Sequence, residues 1–350
     1  MDFSKARIGR KAAIWLLLPA LLVLLALGLD REAIDRLAPV DPSDRRPVVV
    51  EVQAGESTAQ IARRLREQNL IRDPLAFSLY ARYRNLDQRL RAGEYEVSRN
   101  LSAPQVIDVL VRGRMVTYPF TIPEGYTVRQ IADSLARKGL VDRDRFLAVA
   151  RDPRNLPPEV PKGANLREPL EGYLFPDTYR VPRRHTEEDI LRLMLDRFHQ
   201  VFSPQYRRRA QELRMSVHQV ITLASIIEKE ATGQDREQVA AVFENRLRLG
   251  MKLDSCATVN YVLDHPRLIL TYQDLEVASP YNTYKEAGLP PGPIANPGEA
   301  AIRAALYPAS VDYLYFVAKN DHEHAFARTY AEHLANRARY ESQLGPGSQP

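Results

Sequence analysis

The sequence predicts an α+β fold in which a transmembrane helix precedes a small α+β module and a mainly helical domain with long loops. An uncharged apolar run lies near the N terminus, a strand–turn–helix pattern occurs twice before residue 142, and apolar residues after residue 186 recur with a helical period. The predicted segments are a cytoplasmic N terminus, a membrane anchor, a linker, the module, the helical domain and a disordered tail, at residues 1–11, 12–29, 30–47, 48–118, 119–344 and 345–350.

Length and charge set broad limits on the protein class. The 350 residues suffice for two domains, and 27% charged with 45% hydrophobic residues is typical of a folded protein. The net charge of +5 is mild, and no dense block of Lys and Arg forms a nucleic-acid footprint. We therefore expect no nucleic-acid partner.

The N-terminal run predicts an uncleaved membrane anchor. Residues 12–29 carry no charge, and at about 1.5 Å per residue they would rise roughly 27 Å, enough to cross the hydrocarbon core. A cleaved signal peptide has a shorter apolar run of about 7–15 residues, although residues 26–28 leave signal cleavage open as an alternative. Basic residues before the run should stay in the cytoplasm and place the rest of the chain outside: Lys5, Arg7, Arg10 and Lys11.

The next stretch, 30–47, is charged and contains proline, as is typical of a linker. Cys256 is the only cysteine of an exported domain, so we expect no internal disulfide bond and interpret Cys256 as a packed residue.

The α+β module begins with a pattern that the chain repeats. Residues 50–71 and 120–141 each read as a strand, a turn glycine and a helix. The matched pairs are Gly55 and Gly125, Gln60 and Gln130, Ile61 and Ile131, Ala62 and Ala132, and Leu65 and Leu135. Between the copies, 93–98 predicts a strand and 102–113 a capped helix that ends at a glycine.

The helical domain carries its own start signals. Thr186 precedes acidic residues that suit the first turn of a helix. Ser216 and Gln219 have capping-box spacing, and 235–250 reads as a helix with a glycine stop. The second of these helices contains "ASIIEKEA" at 224–231, where Glu228 and Glu230 flank an apolar stripe on opposite sides. From this helix alone, a solvated or salt-bridged pair and a proton-transferring glutamate both remain open.

Two loops combine prolines with aromatic and amide side chains, a combination that suits sugar rings. Proline stiffens a loop by fixing φ, and long loops of this kind are unusual in compact domains. Ordinary surface turns are the alternative. The candidate residues of loops 170–182 and 279–298 are Tyr173, Phe175, Asp177, Tyr179, Tyr281, Asn282, Tyr284 and Asn296.

From the sequence we expect neither a metal site nor a cofactor site. His322, His324 and His333 have no companion Cys, Asp or Glu spaced for zinc. The nucleophile-elbow, phosphate-loop and dinucleotide-binding patterns are also missing from the sequence.

Several blocks together resemble the YceG-like endolytic murein transglycosylases across residues 48–335. They are "EGYLFPDTY", "ASIIEKEA", "VFENRL", "SPYNTY", "GLPPGPIANPG" and "DYLYFVA", in this order. The resemblance implies that Glu228 is catalytic and that the remaining candidates serve substrate binding, with Glu230, Asn245 and Asp254 added to the loop residues. This chain departs from the family pattern at "LDSCAT", residues 253–258, at Glu244 and at Ala327.

The resemblance also implies a function. Family members are anchored in the inner membrane, carry a LysM-like module before the catalytic domain and cleave nascent peptidoglycan strands internally, beside peptidoglycan synthases. The bond is the β-1,4 link between N-acetylmuramic acid and N-acetylglucosamine, and its cleavage leaves a 1,6-anhydro end. Two alternatives stay open: a hydrolase with Asp254 or Asp177 as the base, and a non-catalytic scaffold that binds the wall.

Overall fold

The computed structural model describes residues 31–344, except 164, 232, 234, 264, 268, 321 and 322 and the side chains of 341–344. The predicted N terminus 1–11, anchor 12–29 and tail 345–350 lie outside these residues. Within the described part, no helix is both long and apolar enough to cross a membrane. Helices dominate and the strands form two-stranded sheets, which confirms the α+β prediction.

The contacts divide the chain into two units. The first covers the chain up to Tyr118 together with Arg180–Arg184, and the second covers Pro119–Tyr179 and His185–Pro350. The first unit contains a helix at residues 31–37 (α1). Its other elements are β1 (Val48–Val52), α2 (Thr58–Glu67), α3 (Pro74–Tyr83), β2 (Gly93–Val97) and α4 (Ala103–Arg112).

The core of the first unit lies between its helices and a two-stranded antiparallel sheet. Val50 of β1 faces Tyr95 of β2 in register, and both are fully buried. Ile61 and Leu65 of α2 and Phe77 of α3 complete the same cluster. Burial of these side chains provides the main stabilisation of so small a unit.

The stretch predicted as a linker is attached to the first unit. The Arg72 guanidinium lies 2.8 Å from Asp35 of α1, and the Asn100 N–H donates to the Asp44 carbonyl at 3.0 Å. Arg46 and Arg99 both bond the Asp44 carboxylate and hold its pKa well below its usual range.

The repeat predicted from the sequence has the same local structure in both copies. A capping box joins Ser57 to Gln60 before α2, and another joins Thr127 to Gln130 before α5 (Val128–Arg137). The second copy continues with α6 (Arg143–Arg151) and β4 (Thr178–Pro182), which pairs with β3 (Thr117–Thr121). Each copy therefore runs strand, helix, helix, strand.

The second unit surrounds a buried helix, α9. A short 3₁₀ turn, Pro153–Asn155, precedes β4. The remaining elements are α7 (Glu187–Val201), α8 (Pro204–Glu212), α9 (Val217–Glu230), α10 (Arg236–Arg248), α11 (Cys256–Val262), α12 (Tyr272–Leu275), α13 (Glu299–Leu306), β5 (Tyr315–Asn320), β6 (Glu323–Ala327) and α14 (Tyr330–Leu344). Helices α10 and α13 pack against α9.

Candidate active site

Helix α9 brings both glutamates of its last turn out of the core. The Ser216 N–H donates to the Gln219 side chain at 2.8 Å and the Gln219 N–H donates to Ser216 Oγ at 3.1 Å, which starts the helix. Ala231 is extended, so the helix ends at Glu230. Nearly every side chain from position 218 to 227 is buried, whereas Glu228 and Glu230 are only half-buried. The core thus fixes the backbone from which these carboxylates project.

Two glycine turns from distant parts of the chain close on Glu228. The Gly298 N–H, at the start of α13, donates to Glu228 Oε2 at 3.1 Å. A Cβ added to Gly125, in the turn before α5, would lie 3.6 Å from Glu228 Cγ. The carboxyl is therefore held between two backbone segments that leave little lateral space.

This environment favours the protonated form of Glu228. Burial raises its pKa, and the negative charge of Glu124 raises it further. The Gly298 N–H and the positive charges of Arg236 and Lys229 act in the opposite direction, but the balance remains above the ordinary value. Glu228 can therefore hold a proton at a pH where most glutamates have lost theirs.

Glu124 is a site residue that the sequence reasoning missed. Its side chain is exposed, and its Oε1 would lie 2.0 Å from a Cβ added to Gly298. The Glu124 carboxylate thus lies against the same glycine whose N–H bonds Glu228. The available signal was its place immediately before Gly125, the turn glycine of the second repeat copy.

Asn296 joins the turn at Gly125 to the loop 170–182. Its carbonyl accepts from the Gly125 N–H at 2.9 Å, and its Nδ2 donates to the Tyr126 carbonyl at 2.8 Å. Its Oδ1 accepts from the Leu174 N–H at 2.9 Å. The side chain is fully buried, so in this structure it positions backbone rather than facing an open cleft.

Glu171 lies beneath this connection as a buried acid. It accepts from the Val128 N–H at 2.9 Å, Asn296 Nδ2 at 3.0 Å and the Tyr261 hydroxyl at 3.1 Å. Burial raises the pKa of Glu171 to about 8. Because the side chain is only 1% exposed, it supports the site from within the core.

Glu230 faces a different segment from Glu228. Its Oε1 accepts from Ser255 Oγ at 2.5 Å and from the Ala257 N–H at 3.4 Å. The neighbouring Asp254 has a left-handed backbone (φ 50°) and accepts from Arg246 at 3.1 Å, while burial raises its pKa. Glu230 and Arg246 therefore hold the loop at 253–258, where the chain departs from the family pattern.

The aromatic residues of loop 170–182 are buried. The Tyr173 hydroxyl bonds His218 Nδ1 at 2.9 Å, and His218 Nε2 donates to the Pro291 carbonyl at 2.8 Å. Tyr179 donates to the Phe175 carbonyl at 2.5 Å. Among the predicted site residues of this loop, only Asp177 is partly exposed, and it accepts from Arg197 at 2.6 Å. This loop is packed into the second unit through its aromatic rings.

The candidates of loop 279–298 are also mostly enclosed. Asn282 is fully buried and donates to the carbonyls of Leu275 and Val277, while Tyr281 is 4% exposed. Tyr284 is half-buried, with its hydroxyl 3.0 Å from Cys256 Sγ.

Asn245 lies elsewhere, on α10, and donates to the carbonyls of Val311 at 2.9 Å and Tyr313 at 3.0 Å. The structure thus brings Gly125, Glu124 and Gly298 to Glu228, and connects Asn296 to them through backbone bonds. In the part of the chain that the structure describes, no group of three His, Cys, Asp or Glu side chains could hold a metal ion.

Known proteins are similar to this chain over most of its length. Residues 50–339 match the YceG-like family. A Bacillus subtilis (strain 168) protein named endolytic murein transglycosylase is 35% identical over 87% of this chain and 88% of its own length. A Streptococcus pneumoniae protein of the same name is 32% identical over 87% of this chain, but this covers 61% of that longer protein. A 2.6 Å crystal structure of a yceG-like protein from Listeria monocytogenes is 38% identical, with a TM-score of 0.58 over 83% of this chain and 98% of that one.

Proposed function

Because the chain belongs to the YceG-like family, we propose that it is an endolytic lytic transglycosylase of peptidoglycan, with Glu228 as its catalytic acid and base. The observation that carries the assignment of Glu228 is its environment. It is the half-buried carboxyl of α9 whose pKa is raised and which two glycine turns enclose.

The bond geometry at Glu228 indicates where the transferable proton lies. An N–H can only donate, so Oε2 accepts from Gly298, and Oε1 would be the oxygen that carries the transferable proton. Oε1 would protonate the glycosidic oxygen of N-acetylglucosamine as its bond to C1 of N-acetylmuramic acid breaks. The products are a strand with a free 4-hydroxyl and, after ring closure, a 1,6-anhydro end.

Ring closure needs no second nucleophile from the protein. The C6 hydroxyl of the same muramic acid attacks C1, and Glu228, now a carboxylate, accepts the hydroxyl proton. An intramolecular nucleophile already has a high effective concentration, so water is neither activated nor consumed. One carboxyl thus serves both steps and ends in its starting protonation state.

Glu124 has a supporting role in this proposal. Its charge disfavours ionisation of Glu228 and so keeps the acid loaded before each turnover. An exposed carboxylate beside the site also places negative charge where positive charge develops on the sugar ring. The repulsion thus keeps Glu228 protonated before the reaction, and the attraction stabilises the positive charge on the sugar ring as the bond breaks.

The other candidates divide into two groups under this proposal. Tyr173, Asn282 and Asn296 act by positioning the loops, since they are buried. Asp177, Glu230, Asp254 and Tyr284 remain candidates for contact with the glycan, because each is partly exposed. Phe175, Tyr179, Asn245 and Tyr281 belong with the first group.

The finer points of location and partners are also part of the proposal. Residues 12–29 would anchor the chain in the cytoplasmic membrane with both units outside, near peptidoglycan synthases that supply nascent strands. The module at 48–118 would be LysM-like, and the order β1, α2, α3, β2 with antiparallel strands supports this. It would contact glycan.

Product analysis tests the reaction. We expect purified full-length chain to convert glycan strands into internal fragments with 1,6-anhydro ends, detected by mass spectrometry, and Glu228→Gln to produce almost none. Reducing ends carrying added water would instead identify a hydrolase, with Asp254 and Asp177 as the predicted bases to test and Glu124 as a third carboxylate. Intact strands with the wild-type chain would leave only the scaffold interpretation.

A further inference from the structure

Helix α3 of the first unit has two apolar faces. One face contributes Phe77 and Ala81 to the core. The other exposes Leu75 at 62%, Leu79 at 56% and Tyr83 at 83%, spaced four residues apart along the helix. A surface helix normally carries polar residues on its outer face, so an exposed apolar stripe of three large side chains is unusual.

The second repeat copy shows that the fold does not require this stripe. Helix α6 begins after Asp142 as α3 begins after Asp73, and each buries a phenylalanine four residues after its cap. On this alignment the positions of Leu75, Leu79 and Tyr83 are occupied in the second copy by Asp144, Ala148 and Asp152. The same helix therefore forms with a polar outer face.

The apolar stripe continues onto α1. A groove of about 440 Å³ lies between the two helices, lined by Ala33 and Leu37 of α1 and by Leu75, Leu79 and Tyr80 of α3. Ion pairs hold them together, Arg36 with Asp73 at 3.4 Å and Arg72 with Asp35 at 2.8 Å. On α1, Ile34 is 69% exposed and extends the same apolar surface.

The sequence locates this surface close to the predicted bilayer. Only Asp30 separates the uncharged run 12–29 from α1. Two residues reach at most about 7 Å, and three helical steps to Ile34 add about 5 Å, so Ile34 lies within about 12 Å of the end of the run. The polar layer of each leaflet is about 5–8 Å thick, and surface helices bury their apolar faces about 5–10 Å deep.

We propose that the stripe on α1 and α3 docks on the lipid bilayer, with its apolar side chains at the boundary between headgroups and acyl chains. We call this stripe, defined by Ile34, Leu75, Leu79 and Tyr83, the docking surface. Tyrosine suits this depth, and Arg82 and Arg84 at the end of α3 are exposed cations that complement anionic headgroups. The proposal rests on the membrane anchoring proposed above. Docking would hold the first unit flat against the same membrane from which the nascent glycan strands emerge.

A fluorescence experiment on the full-length chain in phosphatidylethanolamine–phosphatidylglycerol vesicles tests the docking surface. The only tryptophan is Trp15, within the predicted anchor, so Trp15→Phe gives a chain without tryptophan fluorescence. In that background we expect Leu79→Trp to emit at short wavelength and to lose most of its emission to lipids brominated near the headgroups. Tyr272→Trp, at a 91% exposed position of the second unit, is the matched control and should keep its emission.

The second copy supplies a disruptive variant that the helix tolerates. Adding Leu75→Asp and Tyr83→Asp, which introduces the residues at the matching positions of the second copy, should leave the melting temperature nearly unchanged and restore the emission of Leu79→Trp. If the chain resists carbonate extraction but the emission of Leu79→Trp is not quenched, the anchor stands and docking on the bilayer is overturned. The stripe would then be expected to bind a protein partner. A chain that carbonate removes from the vesicles would overturn the anchor, and the docking inference with it.

Discussion

Glu228 and Glu230 stand two residues apart on one helix, and their neighbours give them different chemistry. Gly298 and Gly125 enclose Glu228, whereas Ser255 and Ala257 bond Glu230. The helical wheel could place both only at the flanks of the apolar stripe, because the segments that meet them are at least 25 residues away along the chain. The resemblance of the block "ASIIEKEA" to the family, and not the apolar periodicity of the helix, distinguished Glu228 from Glu230 in the sequence.

Isosteric amides distinguish the two roles. Glu228→Gln should lose roughly 10²–10⁴-fold in cleavage rate with little change in melting temperature, since proton transfer is lost and shape is kept. Glu230→Gln weakens a charged hydrogen bond worth about 1.5–3 kcal/mol, so it should lower the melting temperature and reduce the rate far less. Rates on purified glycan strands and thermal melts measure both. An inactive Glu230→Gln beside an active Glu228→Gln would reverse the assignment.

The charge of Glu124 should be visible in the pH profile. Because Glu124 raises the pKa of Glu228, Glu124→Gln lowers that pKa, and the acid form of Glu228 is lost at lower pH. The alkaline limb of kcat/KM, which reports the free enzyme, should therefore move to lower pH. Glu188→Gln, an exposed carboxylate on α7, is the control and should leave the limb in place. An unmoved limb in Glu124→Gln would remove Glu124 from the proposal.

The buried acid Glu171 should make stability depend on pH. Its folded pKa of about 8 lies above the ordinary value near 4.5, so the folded state binds the extra proton between these limits. Its contribution is complete below about pH 4.5 and is lost as the pH rises through 8. Glu171→Gln imitates the protonated form, so its melting temperature should fall less than that of the wild type between pH 6 and 9. Parallel curves for the two proteins would contradict this.

At the scale of helices and strands, local sequence signals were sufficient where the interacting residues are close together in the sequence. Matched glycine, glutamine and apolar positions on α2 and α5 predicted the repeat, and the structure adds a capping box at Ser57 and at Thr127. The pairing of β3 with β4 was not predicted, because the two strands are separated by α5, α6 and a long loop. Tyr179 and Asn282 look like sugar-binding residues in sequence, but composition cannot tell which side of a loop faces the core.

The packing of loop 170–182 against α9 can be tested at one glycine. Gly172 has φ 87°, and an added Cβ would lie 2.6 Å from both Ile221 Cγ2 and Pro293 Cγ. Gly172→Ala should therefore combine backbone strain of about 1–2 kcal/mol with overpacking of about 1–3 kcal/mol. Gly250→Ala has a similar φ of 70° but nothing within 4 Å, so it should show the strain alone. Equal losses of melting temperature in the two variants would show that the loop is not tightly packed.

At the scale of the whole molecule, composition and the order of the sequence patterns predicted how the chain divides into segments, but not which distant residues contact one another. The uncharged run, the repeat and the helical periodicity predicted the segments, and the two compact units of the structure divide after Tyr118, with Arg180–Arg184 belonging to the first unit. The stretch 30–47 has the composition of a linker, yet it bonds to the first unit, because Asp35 and Asp44 find arginines that follow much later in the chain. Such pairings depend on the folded surface and leave no periodic signal.

The orientation of the whole chain is the remaining prediction. Basic residues before the run 12–29 should keep the N terminus in the cytoplasm, and the uncleaved run should hold both units outside. Protease added to intact spheroplasts should therefore digest nearly the whole chain, while an N-terminal epitope tag survives on a short protected fragment and a cytoplasmic marker protein stays intact. Full protection of the chain would reverse the orientation. Release of the chain with the periplasmic fraction, without its tag, would show instead that the run is a cleaved signal peptide.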